Sequence, residues 1–144
     1  MQETLSTVGL LMMIAALLGL IALGDALAPV VVVIVLQVCA AALMLWARLT
    51  FGLRSFHAAA DPTSGGLVTG GPYRYIRHPI YAAVCLFIWP AAIAHASWPA
   101  IGLATVLTAG AILRALCEES LLVVQYPEYP AYAARTKLMV PFVF

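Results

Sequence analysis

The sequence predicts an all-α integral membrane protein with about four transmembrane helices. Two observations carry this prediction. Of the 144 residues, 65% are hydrophobic and 9% are charged, and the mean hydropathy is +1.04, whereas a soluble domain is typically about 45–50% apolar and about 25% charged. The apolar residues also fall into runs that are separated by polar segments. Because one small core cannot bury this much apolar surface, the helices are expected to face lipid.

The first two apolar runs lie in residues 1–47 and are predicted to form two N-terminal transmembrane helices. The run at 5–23 is just long enough, because about 20 apolar residues cross the hydrocarbon core. The run at 26–47 has Pro29 in its predicted first turn, where the missing N–H costs no hydrogen bond. Gln37 is the strongly polar residue of this run and is expected to face another helix. The N-terminus lacks the basic segment of a secretory signal, so the first run is expected to be retained.

Residues 48–144 are predicted to carry the functional motifs, within a single domain that spans 1–144. A polar segment at 48–78 comes first. It is about 30 residues long, and segments of that length without regular structure are usually functional or disordered. Two shorter apolar runs follow at 79–94 and 99–117, joined by a tight turn. They are expected to form a transmembrane hairpin.

The distribution of basic residues predicts the orientation in the membrane. The polar segment holds four arginines, and Arg114, Arg135 and Lys137 cluster toward the C-terminus. The turns near Asp25 and His95 hold neither lysine nor arginine. The positive-inside rule therefore places the polar segment, the C-terminal tail and both termini in the cytoplasm. The two charged segments are expected to meet there, and a functional site is expected on that face.

Net charge and cysteine spacing narrow the possible functions. The formal net charge is +1, which argues against nucleic acid as a partner. Cys39, Cys85 and Cys117 lie in apolar runs and show neither metal-ligand spacing nor the pattern of a disulfide framework. They are expected to be small buried hydrophobes, and no metal site is predicted.

The stretch GGPYRYIRHPIYAA, at 70–83, places two arginines, a histidine and a proline at the start of the third apolar run. Arginines at this depth can anchor lipid headgroups, and Pro79 can open the next helix. The same residues also suit a ligand. The two glycines allow close approach to the backbone, and a helix that starts at Pro79 presents N–H donors and the positive end of its dipole. His78 and Tyr81, three residues apart, are expected to share one helix face.

Two further segments carry unusual polar residues. Glu118 and Glu119 are expected to end the fourth run, where the helix dipole favours cations and makes two carboxylates unfavourable. They either mark the membrane boundary, start the next helix, or hold a cationic group. The tail after them contains Tyr129, Tyr132 and Arg135. Taken alone, these tail residues fit an interfacial aromatic belt with a headgroup anchor.

Together, three segments resemble the isoprenylcysteine carboxyl methyltransferase family of integral membrane methyltransferases. The segments are LVTGGPYRYIRHPIYAA at 67–83, EESLL at 118–122 and EYPAYAARTKLMVPF at 128–142. The resemblance covers about 48–144, and it depends on the ordered set of three motifs because RHP alone is weak. The matching positions are Leu67, Val68, Thr69, Gly71, Tyr73, Arg77, His78, Pro79, Tyr81, Glu118, Glu119, Leu122, Glu128, Tyr129, Tyr132, Arg135 and Pro141.

The resemblance implies a methyltransferase that uses S-adenosyl-L-methionine and releases S-adenosyl-L-homocysteine. It implies that the cytoplasmic loop and the C-terminal tail form the cofactor pocket, with contacts from the first motif, the glutamate segment and the tail. It also implies that Arg135 lies near the methyl acceptor. The implied cofactor-binding residues are Tyr73, Arg77, His78, Pro79, Tyr81, Glu118 and Glu119. The implied catalytic residues are Arg135 and Glu119, and the implied substrate-binding residues are Arg135, Tyr132, Arg48 and His57.

The chemistry of the acceptor separates the possible reactions. A carboxylate is already ionised at neutral pH and needs only orientation, for example by a bidentate contact with Arg135. An amine or thiol needs a base. The sequence therefore favours carboxyl O-methylation of an isoprenylcysteine-like lipid that enters from the bilayer. Phosphatidylethanolamine-type N-methylation is the alternative, because phospholipid methyltransferases share a similar arginine-histidine-proline motif and paired glutamates. A small four-helix transporter is a distant alternative, since its acidic residue is expected deep inside a helix.

Overall fold

The computed structural model describes residues 2–52 and 66–140, and this part of the chain forms five α-helices and a 3-10 turn. The all-helical prediction is confirmed for the described residues. His57, one of the predicted substrate-binding residues, lies outside them. The helices are α1 (Gln2–Leu23), α2 (Val31–Phe51), α3 (Pro79–His95), α4 (Trp98–Gln125) and α5 (Tyr129–Ala133), and the 3-10 turn is Gly71–Arg74.

Three of these helices are long and apolar enough to cross a membrane, namely α1, α2 and α4. The helix α3 is apolar but has 17 residues and contains Pro90, so it is shorter than the roughly 20 residues that a span usually needs. The chain is therefore an integral membrane protein with three candidate spans. A fourth crossing by α3 stays a prediction.

Two helix ends differ from the sequence-based bounds. The helix α2 begins at Val31, so Pro29 precedes the helix and does not occupy its first turn. The helix α4 continues past Cys117 to Gln125 and stops where Tyr126 becomes extended, because the residue before a proline avoids helical backbone. Glu119 and its neighbour Glu118 thus lie well inside α4. The predicted unfavourable contact of these glutamates with the helix dipole is wrong, since that effect is confined to the last turn.

The helices pack in the order α2, α3, α4, α1, because α1 lies along α4, α2 lies along α3, and α3 also contacts α4. The crossing of α1 and α4 is close. A Cβ atom added to Gly9 would lie 2.8 Å from the carbonyl oxygen of Gly110, and one added to Gly110 would lie 2.7 Å from that of Gly9. Small residues allow such close backbone approach between membrane helices.

The three cysteines are free thiols, as the absence of a disulfide pattern indicates. Cys117 is buried and Cys85 is partly buried, but Cys39 is exposed on α2. The prediction of burial is wrong for Cys39. Its side of α2 is an apolar surface that faces outward from the helix bundle, and a thiol is apolar enough to remain there.

Polar contacts fix the end of the bundle that lies opposite the start of α3. Gln37 is buried, and its Nε2 donates to the carbonyl oxygens of Ala26 at 2.9 Å and Phe87 at 3.1 Å, which confirms that it faces another helix. His95 Nδ1 lies 3.4 Å from an Asp25 carboxylate oxygen, and its Nε2 lies 2.8 Å from the Leu27 carbonyl oxygen. These contacts join the α1–α2 turn to the α3–α4 turn.

The tail after α4 folds back against the segment that precedes α3. The Lys137 carbonyl accepts a hydrogen bond from the Arg77 amide at 2.8 Å, and the Lys137 amide donates to the Tyr75 carbonyl at 3.1 Å. The His78 amide donates to the Leu138 carbonyl at 2.9 Å. The tail and the RHP segment, distant in the sequence, therefore lie side by side.

Candidate active site

Arg77 and His78 are held in the non-helical segment immediately before α3. Pro79 is the first residue of α3 and is buried, and the backbone of His78 is not helical, as expected for the residue before a proline. Because both amides of the pair donate to tail carbonyls, their side chains are directed from a fixed backbone toward α4.

Glu119 receives hydrogen bonds from three side chains, which belong to two other parts of the chain. Its Oε1 accepts from Arg77 Nε at 2.6 Å, from the Tyr129 hydroxyl at 2.6 Å, and from His78 Nε2 at 3.0 Å. The side chains of Arg77 and Glu119 are 14% and 19% exposed. A charge-assisted contact that is this well shielded from water is stronger than a surface ion pair. Glu119 therefore joins α4 to the RHP segment and to α5.

Glu118 forms a second set of contacts on the same face. Its Oε1 accepts a short hydrogen bond from the Tyr81 hydroxyl and lies 3.2 Å from Arg114 Nε. Its Oε2 lies 3.4 Å from His78 Nδ1. Both ring nitrogens of His78 thus face carboxylates, and both can donate only when the imidazole is protonated.

The two glutamates decide the charge of His78. Burial lowers the pKa of His78, but the hydrogen bonds to Glu118 and Glu119 outweigh the burial and leave the pKa raised above its usual value. The ring is also stacked on Tyr81, with 5.7 Å between ring centroids. His78 is therefore held as a cation, so it is a hydrogen-bond donor to the glutamates and not a general base.

The raised pKa makes the stability contribution of His78 depend on pH. A group whose pKa is raised on folding contributes to stability. For a histidine this contribution is fully present below the unfolded-state pKa of about 6.5 and is lost as pH rises through the folded-state pKa. The difference in unfolding free energy between wild type and His78→Gln is expected to be largest in that acidic range and to decrease at alkaline pH. Thermal unfolding in detergent across a pH series measures it. A difference that stays constant over the series would contradict the cationic assignment.

The side chain of Arg77 also binds the tail. Its Nη1 donates to the Thr136 carbonyl at 2.7 Å and to the Ala133 carbonyl at 3.1 Å. Burial alone would lower the pKa of Arg77, and the hydrogen bond with Glu119 reverses that effect. The guanidinium group is thus engaged by α4 on one side and by the tail on the other.

A second group of predicted residues surrounds the 3-10 turn. Tyr73 is buried in that turn, and its ring lies 5.5 Å from that of Phe51. The Tyr132 hydroxyl donates to the Tyr73 carbonyl at 2.7 Å. Burial raises the pKa of Tyr132 to about 12, and burial also raises the pKa of Tyr73, against the charge of nearby Arg48. Both phenols are therefore neutral at physiological pH.

The structure places the described residues of the predicted site in two groups, and Arg135 lies apart from both. Arg135 is exposed on the tail, where its Nε donates to the Ala131 carbonyl at 3.2 Å, and its role near the acceptor stays a prediction. The central cluster consists of Arg77, His78, Tyr81, Glu118 and Glu119, with Pro79 beneath it, whereas Tyr73, Tyr132 and Arg48 belong to the group around the 3-10 turn.

The predicted site omitted two residues that contact the central cluster. Tyr129 belongs to the tail motif, but its hydroxyl contact with Glu119 has no local sequence signal. Arg114 lies four residues before Glu118, and this i,i+4 spacing of opposite charges is a signal that indicates a shared helix face. The sequence-based prediction used Arg114 only for orientation.

Residues 28–129 match the family model described as phospholipid methyltransferase. The match is more than half of the chain and includes α2, α3, α4 and the residues of the central cluster. It supports a membrane methyltransferase over a transporter, and the narrower resemblance to isoprenylcysteine carboxyl methyltransferases stays a prediction. No curated protein and no solved structure significantly matches the chain. The match over α2 to α4 shows that this chain belongs to the phospholipid methyltransferase family.

Proposed function

We propose that this protein transfers a methyl group from S-adenosyl-L-methionine to a lipophilic acceptor at the membrane. The observation that supports this most directly is the meeting of Glu118 and Glu119 with His78 at the start of α3, in a chain of a methyltransferase family. The cofactor supplies an electrophilic methyl group on a sulfonium. The displacement is in line, so the main task of the protein is to align donor and acceptor.

The residues of the central cluster fit the charges of this cofactor. Among the described residues, none donates a hydrogen bond to Glu119 Oε2, and the side chains of Glu118 and Glu119 are 24% and 19% exposed. A partly exposed carboxylate oxygen is a suitable acceptor for an α-ammonium group. The first amides of α3 after Pro79 have no carbonyl partner within the helix, and the positive end of the helix dipole favours a carboxylate. Glu119, Glu118 and the start of α3 would thus hold the cofactor.

The charge states of the cluster favour an acceptor that arrives deprotonated. His78 is held as a cation by the two glutamates. Burial and the contact with Glu119 raise the pKa of Tyr129, so this phenol keeps its proton. A lipid carboxylate needs neither group as a base. The first candidate reaction is therefore carboxyl O-methylation of an isoprenylcysteine-like lipid, with Arg135 and Tyr132 proposed to orient it.

The family match favours a second candidate, N-methylation of a phosphatidylethanolamine-type headgroup. This acceptor is an ammonium at neutral pH and must lose a proton before it attacks. In that case one carboxylate of the central cluster would have to be the proton acceptor, and the other would hold the α-ammonium group of the cofactor. In both candidates the lipid enters from the bilayer and the charged cofactor enters from the aqueous side.

We further propose that the site and both termini face the cytoplasm. Arg74, Arg77, Arg135 and Lys137 lie at the site end of the bundle, whereas the described turns at the Asp25–His95 end hold neither lysine nor arginine. The positive-inside rule supports this orientation. A C-terminal reporter that is active only in the cytoplasm tests it.

Two measurements on detergent-purified protein test the reaction. Calorimetric titration with S-adenosyl-L-homocysteine tests the cofactor, and a folded protein that does not bind it contradicts the proposal. Transfer of a tritiated methyl group then separates the acceptors. Vesicles of phosphatidylethanolamine and an isoprenylcysteine analogue are supplied in parallel, and the labelled product identifies the reaction.

Arg135→Ala is expected to retain the affinity for S-adenosyl-L-homocysteine and to lose at least about tenfold in turnover, because a charged contact to the acceptor is removed. The measurement is a titration and a methyl-transfer assay on the same preparation. Lys137→Ala is the matched control, since this exposed cation lies two residues further along the tail. Loss of cofactor binding with turnover spared at saturation would assign Arg135 to the cofactor instead.

A further inference from the structure

Arg114 is a buried cation inside α4 to which the family resemblance assigns no role. Its relative exposure is 5%. Its Nε lies 2.6 Å from the Tyr81 hydroxyl oxygen and 3.2 Å from Glu118 Oε1. A buried charge is costly unless its partners are well placed, so these contacts hold Arg114 in the cluster. They also direct the Tyr81 hydroxyl, because an oxygen that accepts from Arg114 donates its own hydrogen to Glu118.

The other side of Arg114 faces α1. Its Nη1 lies 3.5 Å from the Ser6 carbonyl oxygen. One turn later, a Cβ added to Gly9 would lie 3.3 Å from the Arg114 amide nitrogen, so the absent side chain of Gly9 lets the α1 backbone reach this part of α4. The helix α1 lies outside the residues that match the family model. It nevertheless touches a residue that contacts the central cluster.

We propose that Arg114 is a positioning residue that couples α1 to the methyl-transfer site by fixing Tyr81 and Glu118. This inference rests on the proposed function. The planar guanidinium group can meet the phenol, the carboxylate and the α1 carbonyl at the same time, whereas a lysine ammonium is a point charge on a flexible stem. The site is therefore complete only when α1 is packed against α4 at Gly9.

The first test replaces Arg114 with lysine. Arg114→Lys is expected to bind S-adenosyl-L-homocysteine about tenfold more weakly and to raise the KM for S-adenosyl-L-methionine, with kcat and the KM for the acceptor close to wild type. Tyr81→Phe is combined with it in a double-mutant cycle. If Arg114 acts through Tyr81, the combined loss is smaller than the sum of the two single losses.

The second test leaves Arg114 in place and moves α1. The Cβ of Gly9→Ala meets the Gly110 backbone oxygen at 2.8 Å, which cannot rotate away. The Cβ of Gly19→Ala meets Leu103 Cδ1 at 2.9 Å in the same helix pair, and that side chain can change rotamer. Gly9→Ala is expected to weaken binding of S-adenosyl-L-homocysteine severalfold, and Gly19→Ala is expected to leave it unchanged.

The outcomes separate this inference from the proposed function. Wild type that binds S-adenosyl-L-homocysteine while Arg114→Lys and Gly9→Ala bind it equally well overturns the positioning role and leaves the function standing. Wild type that does not bind it overturns both. If Arg114→Lys does not fold, the two glycine variants decide. Equal losses of affinity in Gly9→Ala and Gly19→Ala, with equal losses of thermal stability, would indicate general loosening of the helix pair and overturn the inference.

Discussion

Glu119→Gln is expected to abolish binding of S-adenosyl-L-homocysteine and to lower the free energy of unfolding by about 3 kcal/mol. The carboxylate oxygen of Glu119 accepts from Arg77, His78 and Tyr129. A glutamine keeps the shape but removes the negative charge, which leaves Arg77 without its anion and leaves His78 with Glu118 alone. Titration and thermal unfolding in detergent measure the two effects.

The matched control is Glu3→Gln, which removes an exposed carboxylate at the start of α1. It is expected to change neither quantity. Wild-type cofactor affinity in Glu119→Gln would show that the central cluster serves the fold alone. Loss of affinity with full stability would instead show that Glu119 binds the ligand but does not stabilise the fold.

Arg77→Met is expected to release the tail from the RHP segment. The variant loses the contacts of the guanidinium group with the carbonyls of Ala133 and Thr136 as well as with Glu119. Hydrogen bonds to charged groups contribute about 1.5–3 kcal/mol, so the population of the released tail rises at least about tenfold. Trypsin cleavage after Lys137 reports this population.

Arg74→Met is the control for this experiment, because Arg74 is an exposed arginine three residues earlier in the same motif. Its cleavage rate after Lys137 is expected to equal that of wild type. Equal rates for Arg77→Met and wild type would mean that the backbone contacts of the tail with Tyr75, Arg77 and His78 hold the tail without the guanidinium group.

The sequence predicted the helices well where an apolar run ends at a strong signal. Pro79 marks the start of α3, and the turn between α3 and α4 falls within the predicted stretch. The predicted end of α4 was wrong because the charged residues Glu118 and Glu119 were interpreted as a helix boundary. Glu118 and Glu119 remain inside the helix since Arg77 and His78, from the segment before α3, neutralise them. No local pattern reports a partner about 40 residues away in the chain.

The candidate site was predictable to the extent that short motifs identify it. The RHP segment and the glutamates were expected to meet, and the structure brings them together. The contact of Arg114 with the Ser6 carbonyl oxygen joins positions 108 residues apart, and it depends on the absence of a side chain at Gly9. A glycine in an apolar helix carries no sequence signal that says which backbone approaches it.

Because the tail docks beside α3, the membrane helices and the tail contacts of this protein form in a fixed order during synthesis. During translation, α1 to α4 emerge before Tyr129 and Thr136, so the ribosome delivers the membrane helices first. Until those tail residues emerge, Glu119 lacks the Tyr129 hydroxyl and Arg77 lacks the Thr136 carbonyl. Insertion of α1 to α4 into the bilayer can thus precede completion of the contacts around the central cluster.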